Sequence, residues 1–205
     1  MSPRPRKVSD EQLLTAALAV MNHVGPNELT LAAIGKEAGV TPAVLVQRFG
    51  SKRELLLALS QKFSASSSEM VASFARQHAS PLAALRAYAE CVAGVAATPA
   101  VFVRNLAYLQ TDLSDPEFRR HLARHARTTR AGLRRLIEAA VRAGELDPGT
   151  PAARLARTVE SILSGSMLTW VIYQQGTATR WIRADLDAVV WPYRIGKAET
   201  GPRKR

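Results

Sequence analysis

Residues 38–52 read AGVTPAVLVQRFGSK. The chain turns at Gly39-Val40, restarts on Thr41-Pro42, runs about two turns of helix and stops at Gly50-Ser51. Thr41 is an N-cap residue, and Pro42 sits at the first helical position, where its missing N–H costs nothing. A helix this short does not persist alone in water, so neighbours must hold it. Leu45 and Phe49 are four residues apart and share a face. They are expected to pack against Ile34 and Ala38 of the preceding helix and Leu18 of the one before. That leaves Pro42, Ala43, Val46 and Gln47 outward, with Val44 and Arg48 at the margins. Two helices joined by a tight turn, the second displayed, form a helix-turn-helix, whose displayed helix suits a DNA major groove.

Working outward, each neighbouring segment carries its own start and stop signals. Ser9 and Gln12 form a capping box ahead of Leu14, Ala17, Leu18 and Met21, and Gly25-Pro26 closes that helix. Thr30 caps the next, with Leu31, Ile34 and Ala38 inward and Gly39 as a left-handed stop. Ser51 and Glu54 open a fourth helix along Leu55, Leu59 and Phe63. Lys52 stands in its first turn, where a cation opposes the helix dipole. A phosphate there would satisfy both the lysine and the free N–H groups, the alternative being an ordinary solvated lysine. Thr30 and Thr41 also have two readings, as caps and as phosphate contacts. Gln47 is the best base reader on the displayed helix, because an amide pairs with adenine N6 and N7.

The remainder follows the same grammar. Ser80-Pro81, Thr98-Pro99, Asp115-Pro116 and Thr150-Pro151 each open a helix, and a last one is expected from about Ala184 to Trp191. No period-two pattern competes, so the fold class is all-α. The serine patch Ser64–Ser68 marks the division, within a continuous helix, between domains 7–63 and 64–205.

The strings Thr30-Leu-Ala-Ala-Ile34, Ala38-Gly-Val-Thr-Pro42, Leu45 with Phe49, and Ser51-Lys-Arg-Glu-Leu-Leu56 resemble the DNA-binding domain of TetR-family transcription regulators. The match spans about residues 9–60. That resemblance implies an N-terminal three-helix domain that binds double-stranded operator DNA. It also implies a larger C-terminal helical part that binds a small ligand and forms a homodimer, here expected through the last two helices. Where the family often has a tyrosine, this chain has Val46, which keeps only the apolar contact; where it often has a histidine, Arg48 can still reach phosphate.

Composition bounds the alternatives. The chain has 205 residues, 47% of them hydrophobic, and a formal net charge of +11. Such a charge favours a polyanionic partner without saying which. Arg4, Arg6 and Lys7 form a basic tail suited to the DNA backbone or minor groove. Arg203, Lys204 and Arg205 read as a solvated end; Arg120, Arg124, Arg127 and Arg134 read as a solvated face of the long helix, the alternative being electrostatic steering towards DNA. No apolar run approaches the roughly 18 residues of a membrane span. The lone Cys91 excludes an internal disulfide framework, and cytoplasm is the simplest compartment.

Phe102, Leu106, Trp170 and Tyr173 are read as core or as the lining of a ligand pocket between helices. His125, on a stripe with Phe118, Leu122 and Thr129, is either a core histidine or a polar contact to that ligand. Ser161, Ser164, Gly165 and Ser166 permit close helix approach at a dimer interface or fill a tight core. No nucleophile elbow, phosphate loop, paired carboxylates or metal cluster is present, so neither an enzyme nor a cofactor is expected. The sequence therefore reads as a repressor released by a small molecule, with a basic helical protein that binds membrane or RNA as the alternative.

Overall fold

The computed structural model describes residues 8–95 and 98–195. Arg4, Arg6, Lys7 and the basic C-terminal residues 203–205 lie outside the described residues. Among those described, nine α-helices and one short 3-10 turn follow one another without a strand. They are α1 Asp10–Met21, α2 Leu31–Ala38, α3 Pro42–Phe49, α4 Lys52–Gln77, α5 Pro81–Gly94, α6 Pro99–Ser114, α7 Pro116–Arg142, α8 Ala152–Tyr173 and α9 Ala178–Val190. The all-α expectation holds. The helices form two compact units. The first comprises residues up to Ala65 together with Ala100–His125; the second comprises Ser66–Pro99 and the chain from Ala126 onward. The sequence reading placed one boundary, at 63/64; residues 100–125 return to the first unit.

In the first unit, Leu13, Leu14, Ala17, Leu29, Ile34, Leu45, Leu55 and Leu59 form a buried cluster, with Phe49 and Tyr108 packed against it. The helix ends obey their local chemistry. The capping box of Ser9 and Gln12 is complete. Thr30 accepts from the Ala33 N–H, and Gly39 adopts φ 68° to close α2. Ser51 accepts from the Glu54 N–H at 3.1 Å, but the Glu54 carboxylate meets Arg53 instead of returning to Ser51. The turn between α2 and α3 also needs Gly35. A Cβ there would stand 2.7 Å from the Val40 carbonyl oxygen, so only a bare backbone lets the turn close this tightly.

In the second unit, α8 buries Leu155, Val159, Leu163, Met167 and Trp170, and α9 buries Ala178, Ile182, Leu186 and Val190. Gly132 lets α7 pass α4, since a Cβ would fall 2.9 Å from Val71. Arg86 of α5 donates two N–H groups to Asp187 of α9, and Ser166 of α8 donates to Asp185. The last helix begins six residues before the expected Ala184, at Ala178, and ends at Val190. Thr177 caps it by accepting from the Arg180 N–H at 3.2 Å. The Thr150 hydroxyl does not cap α8; it is buried and donates to the Asp147 carbonyl at 2.6 Å.

Candidate nucleic-acid interface

The displayed face of α3 is built from one buried contact. Leu45 is fully buried in the first unit's core, and Phe49 packs on the edge of that core. Pro42, Ala43, Val46 and Gln47 are exposed, and Val44 is half-buried. Val46 keeps 46% of its surface exposed, an apolar group that no core demand explains. Pro42 occupies the first turn as expected, but the Thr41 hydroxyl makes no cap bond. That hydroxyl stands at an exposed helix start and can donate to an anion; Pro42 beside it has no N–H, and the Val44 N–H donates to the Thr41 carbonyl at 3.1 Å. Thr30 differs, because its hydroxyl oxygen is occupied in accepting from Ala33 at 3.1 Å; its hydroxyl proton remains a donor.

Two cations take internal partners. Arg48 pairs with Asp10 and donates to the Val8 carbonyl at 3.3 Å, tying the end of α3 to the start of α1. Lys52 is half-buried, and its ammonium donates to the Leu29 carbonyl at 2.9 Å and the Pro26 carbonyl at 3.5 Å. An ammonium has three donors, so one remains for an outside acceptor. Lys52 therefore shapes the loop before α2 while standing in the first turn of α4.

Sequence reasoning missed the clamp behind this face. Arg53, next to Lys52, donates to Asp115 at 2.8 and 3.1 Å and to Glu117 at 3.0 Å, and lies 5.6 Å over the Phe118 ring. The Asp115 and Glu117 carboxylates raise the Arg53 pKa, and the hydrogen bond from Arg53 lowers that of Asp115. On α6, Arg104 donates to the Asn22 carbonyl at 3.0 Å, and the Tyr108 hydroxyl donates to the Val24 carbonyl at 3.0 Å. Burial raises the pKa of Tyr108 and that of Asp112 on the same helix. Thus α6 and the start of α7 are fastened to the helix-turn-helix domain. The partners lie 62 to 84 residues apart in the chain and have no shared period.

The five expected ligand contacts divide between the units. Phe102, Leu106 and His125 belong to the first, all half-buried. In the second, Trp170 is buried and its ring N–H donates to the Gly176 carbonyl at 3.3 Å. Tyr173 is 61% exposed and stacks on Trp181 at 5.8 Å, so it lies outside the core. Among the described residues, no group of three or more His, Cys, Asp or Glu side chains could hold a metal. No single described helix is long and apolar enough to cross a membrane.

Sequence profiles of known families match the chain in two places. Residues 13–59 match the profile of bacterial regulatory proteins of the tetR family, and residues 81–186 match the tetracyclin repressor-like C-terminal domain. No curated relative matches by sequence. Solved structures with the same fold include a TetR transcription regulator from Haloarcula marismortui, with TM-score 0.72, 15% identity, and coverage of 91% of this chain and 98% of that one. FadR from Bacillus subtilis in complex with stearoyl-CoA gives 0.65 at 18% identity over 89% and 98%. SmeT, the repressor of the Stenotrophomonas maltophilia multidrug efflux pump SmeDEF, gives 0.64 at 21% identity over 97% and 96%.

Proposed function

Because the chain belongs to the TetR family of bacterial regulatory proteins, and so is a DNA-binding transcription regulator, we propose that α3 enters the operator's major groove and reads it with Pro42, Ala43, Val46 and Gln47. Val44 borders that contact. Gln47 supplies the directional hydrogen bonds, and Val46 offers an apolar surface to a thymine methyl. Thr30, Thr41 and Lys52 contact the flanking phosphates, Arg48 lies at the margin held by Asp10, and the basic tail of Arg4, Arg6 and Lys7 follows the backbone. The observation that carries this reading is the exposure of four contiguous-face residues on a helix pinned by the fully buried Leu45.

In this proposal the working form is a cytoplasmic homodimer joined through α8 and α9. Ser161, Gly165, Leu168 and Ile172 recur at helical spacing along one side of α8, all exposed, with Leu168 at 45% and Ile172 at 69%. Small and apolar residues in one exposed stripe suit close packing of a second helix. Two copies of α3 would then read half-sites roughly 34–36 Å apart. A small molecule bound in the C-terminal part weakens operator binding, and linkage requires DNA to weaken ligand binding equally. Repression is the favoured sign of control, as it is for SmeT.

Gel shift with the duplex upstream of the protein's own gene tests this. Gln47→Ala is expected to weaken specific binding about five- to a hundredfold, corresponding to about 1–3 kcal/mol for a bidentate base contact. Lys52→Ala is expected to weaken all duplexes alike and lower the salt dependence by about one phosphate. Unchanged binding by both variants would discard the assigned face.

A further inference from the structure

The core of the second unit contains a polar spot that the packing leaves unresolved. Tyr88 of α5 is 2% exposed and Thr129 of α7 is 6% exposed. The Thr129 hydroxyl oxygen is wholly buried and has no hydrogen-bond partner. Helical threonines usually have an easy local solution, donation to the carbonyl four residues back. Thr15, Thr111, Thr158 and Thr169 all take it. Thr129, more buried than any of these, does not.

Its neighbours define what could satisfy it. The hydroxyl stands near enough to the Tyr88 phenol to favour phenolate, against the larger opposite effect of burial, yet outside hydrogen-bond geometry. Phe74 of α4 meets the Tyr88 ring edge-on at 5.7 Å. Glu160 of α8 lies near enough to disfavour phenolate, and its carboxylate is taken by Arg130. The spot is therefore aromatic and hydroxylic, and its nearby arginine is already paired. A buried polar group without a partner costs stability and calls for an explanation beyond packing. Apolar surroundings with a few convergent polar groups are the chemistry of a small-molecule site between helices.

We propose that Tyr88 and Thr129 are the polar anchors of the effector site, and that they select a neutral, mainly apolar molecule carrying one hydroxyl or carbonyl oxygen. An anion is disfavoured, since the Glu160 carboxylate disfavours negative charge at Tyr88 and its arginine partner, Arg130, is already engaged. This deepens the regulatory reading and rests on it for the word effector. The Thr129 hydroxyl is held ready beside Tyr88, at a cost in stability, for a group that arrives with the ligand.

The test uses the full chain as wild type, Thr129→Val and Tyr88→Phe, both variants keeping side-chain shape. Without any added molecule, Thr129→Val is expected to melt about 2–4 °C higher, because it removes an unsatisfied hydroxyl. A lower melting temperature would mean the hydroxyl is satisfied and would overturn the proposal. Calorimetric titration with naphthalene, 2-naphthol and 2-naphthoate varies only the polar group. Wild type is expected to bind 2-naphthol about five- to tenfold tighter than either companion, with the preference gone in both variants. Equal binding of naphthalene and 2-naphthol, a preference for naphthoate, no binding of any of the three, or a preference that survives in both variants would each sink it. Duplex binding without these compounds separates the two readings. A wild type that discriminates among the three yet binds no DNA keeps this site and loses the regulatory function.

Discussion

Gly35 shows how far one missing carbon atom organises the reading head. Its place in α2 invites alanine, which a helix interior prefers by about 1 kcal/mol. The Val40 carbonyl 2.7 Å from the would-be Cβ forbids that exchange, because backbone oxygen cannot swing aside like a flexible side chain. Overpacking of this kind costs about 1–3 kcal/mol, enough to outweigh the helical gain. Gly35→Ala is therefore expected to lower the melting temperature by several degrees and to weaken DNA binding more than stability alone explains, since the turn sets the angle of α3. Thermal melts and gel shifts on the same preparation check both parts. An unchanged melting point would mean the turn has slack that its geometry does not suggest. Lys52 teaches a related lesson. Its place in the first turn of α4 was legible from Ser51 and Glu54, but its bonds to Pro26 and Leu29 depend on a loop conformation that no local spacing announces.

Elements were legible in proportion to how local their signals are. Thr41-Pro42 and Gly39 define α3 by short-range chemistry alone, and the structure keeps those bounds. The buried face of α1 also takes in Leu13 and Ala16, beyond the Leu14 and Ala17 stripe, because the domain covers more than one side of that helix. The start of α9 escaped because its apolar residues recur every four positions among arginines, and Gly176-Thr177 carries no proline. The Arg53 clamp between α4 and α7 left no trace at all, being a pairing of surface charges set by the fold. It is nevertheless testable through pH. The Asp115 pKa is lowered below its ordinary 3.8 by Arg53, so its contribution is present above about pH 4 and is lost as pH falls through the lowered value. Asp112 has the opposite sign. Burial first, then Asp115, raises its pKa above 3.8, so its charge opposes folding at neutral pH and the penalty fades as pH falls through the raised value. Asp115→Asn, which keeps a capping side chain, should melt below wild type at pH 7 and converge with it in acid. Asp112→Asn should melt above wild type at pH 7, its advantage shrinking on acidification. Melts from pH 7 to pH 3 that show parallel offsets for both variants would refute the assignment of these charges.

At the scale of the whole molecule, the residues proposed to read DNA and those proposed to join two copies lie in different units, so each role can be disabled alone. The sequence foresaw small residues on α8 but placed Tyr173 among the core or pocket candidates, whereas it stands 61% exposed against Trp181. Hydropathy cannot tell a core aromatic from an exposed one, because both are apolar and both follow the helical period. Replacing Leu168 and Ile172 together by glutamate puts two charges on the exposed stripe without touching Leu163, Met167 or Trp170, which are buried. The double variant is expected to sediment as a folded monomer with unchanged helical content. A monomer engages one half-site, so about half the phosphate contacts go, and log affinity against log salt should fall to roughly half its wild-type slope. Operator affinity should drop by well over tenfold, while Gln47 still discriminates bases within a single half-site, since nothing in α3 has changed. A variant that remains dimeric would move the interface elsewhere, and a monomer that binds the full operator as tightly as wild type would mean one reading head suffices.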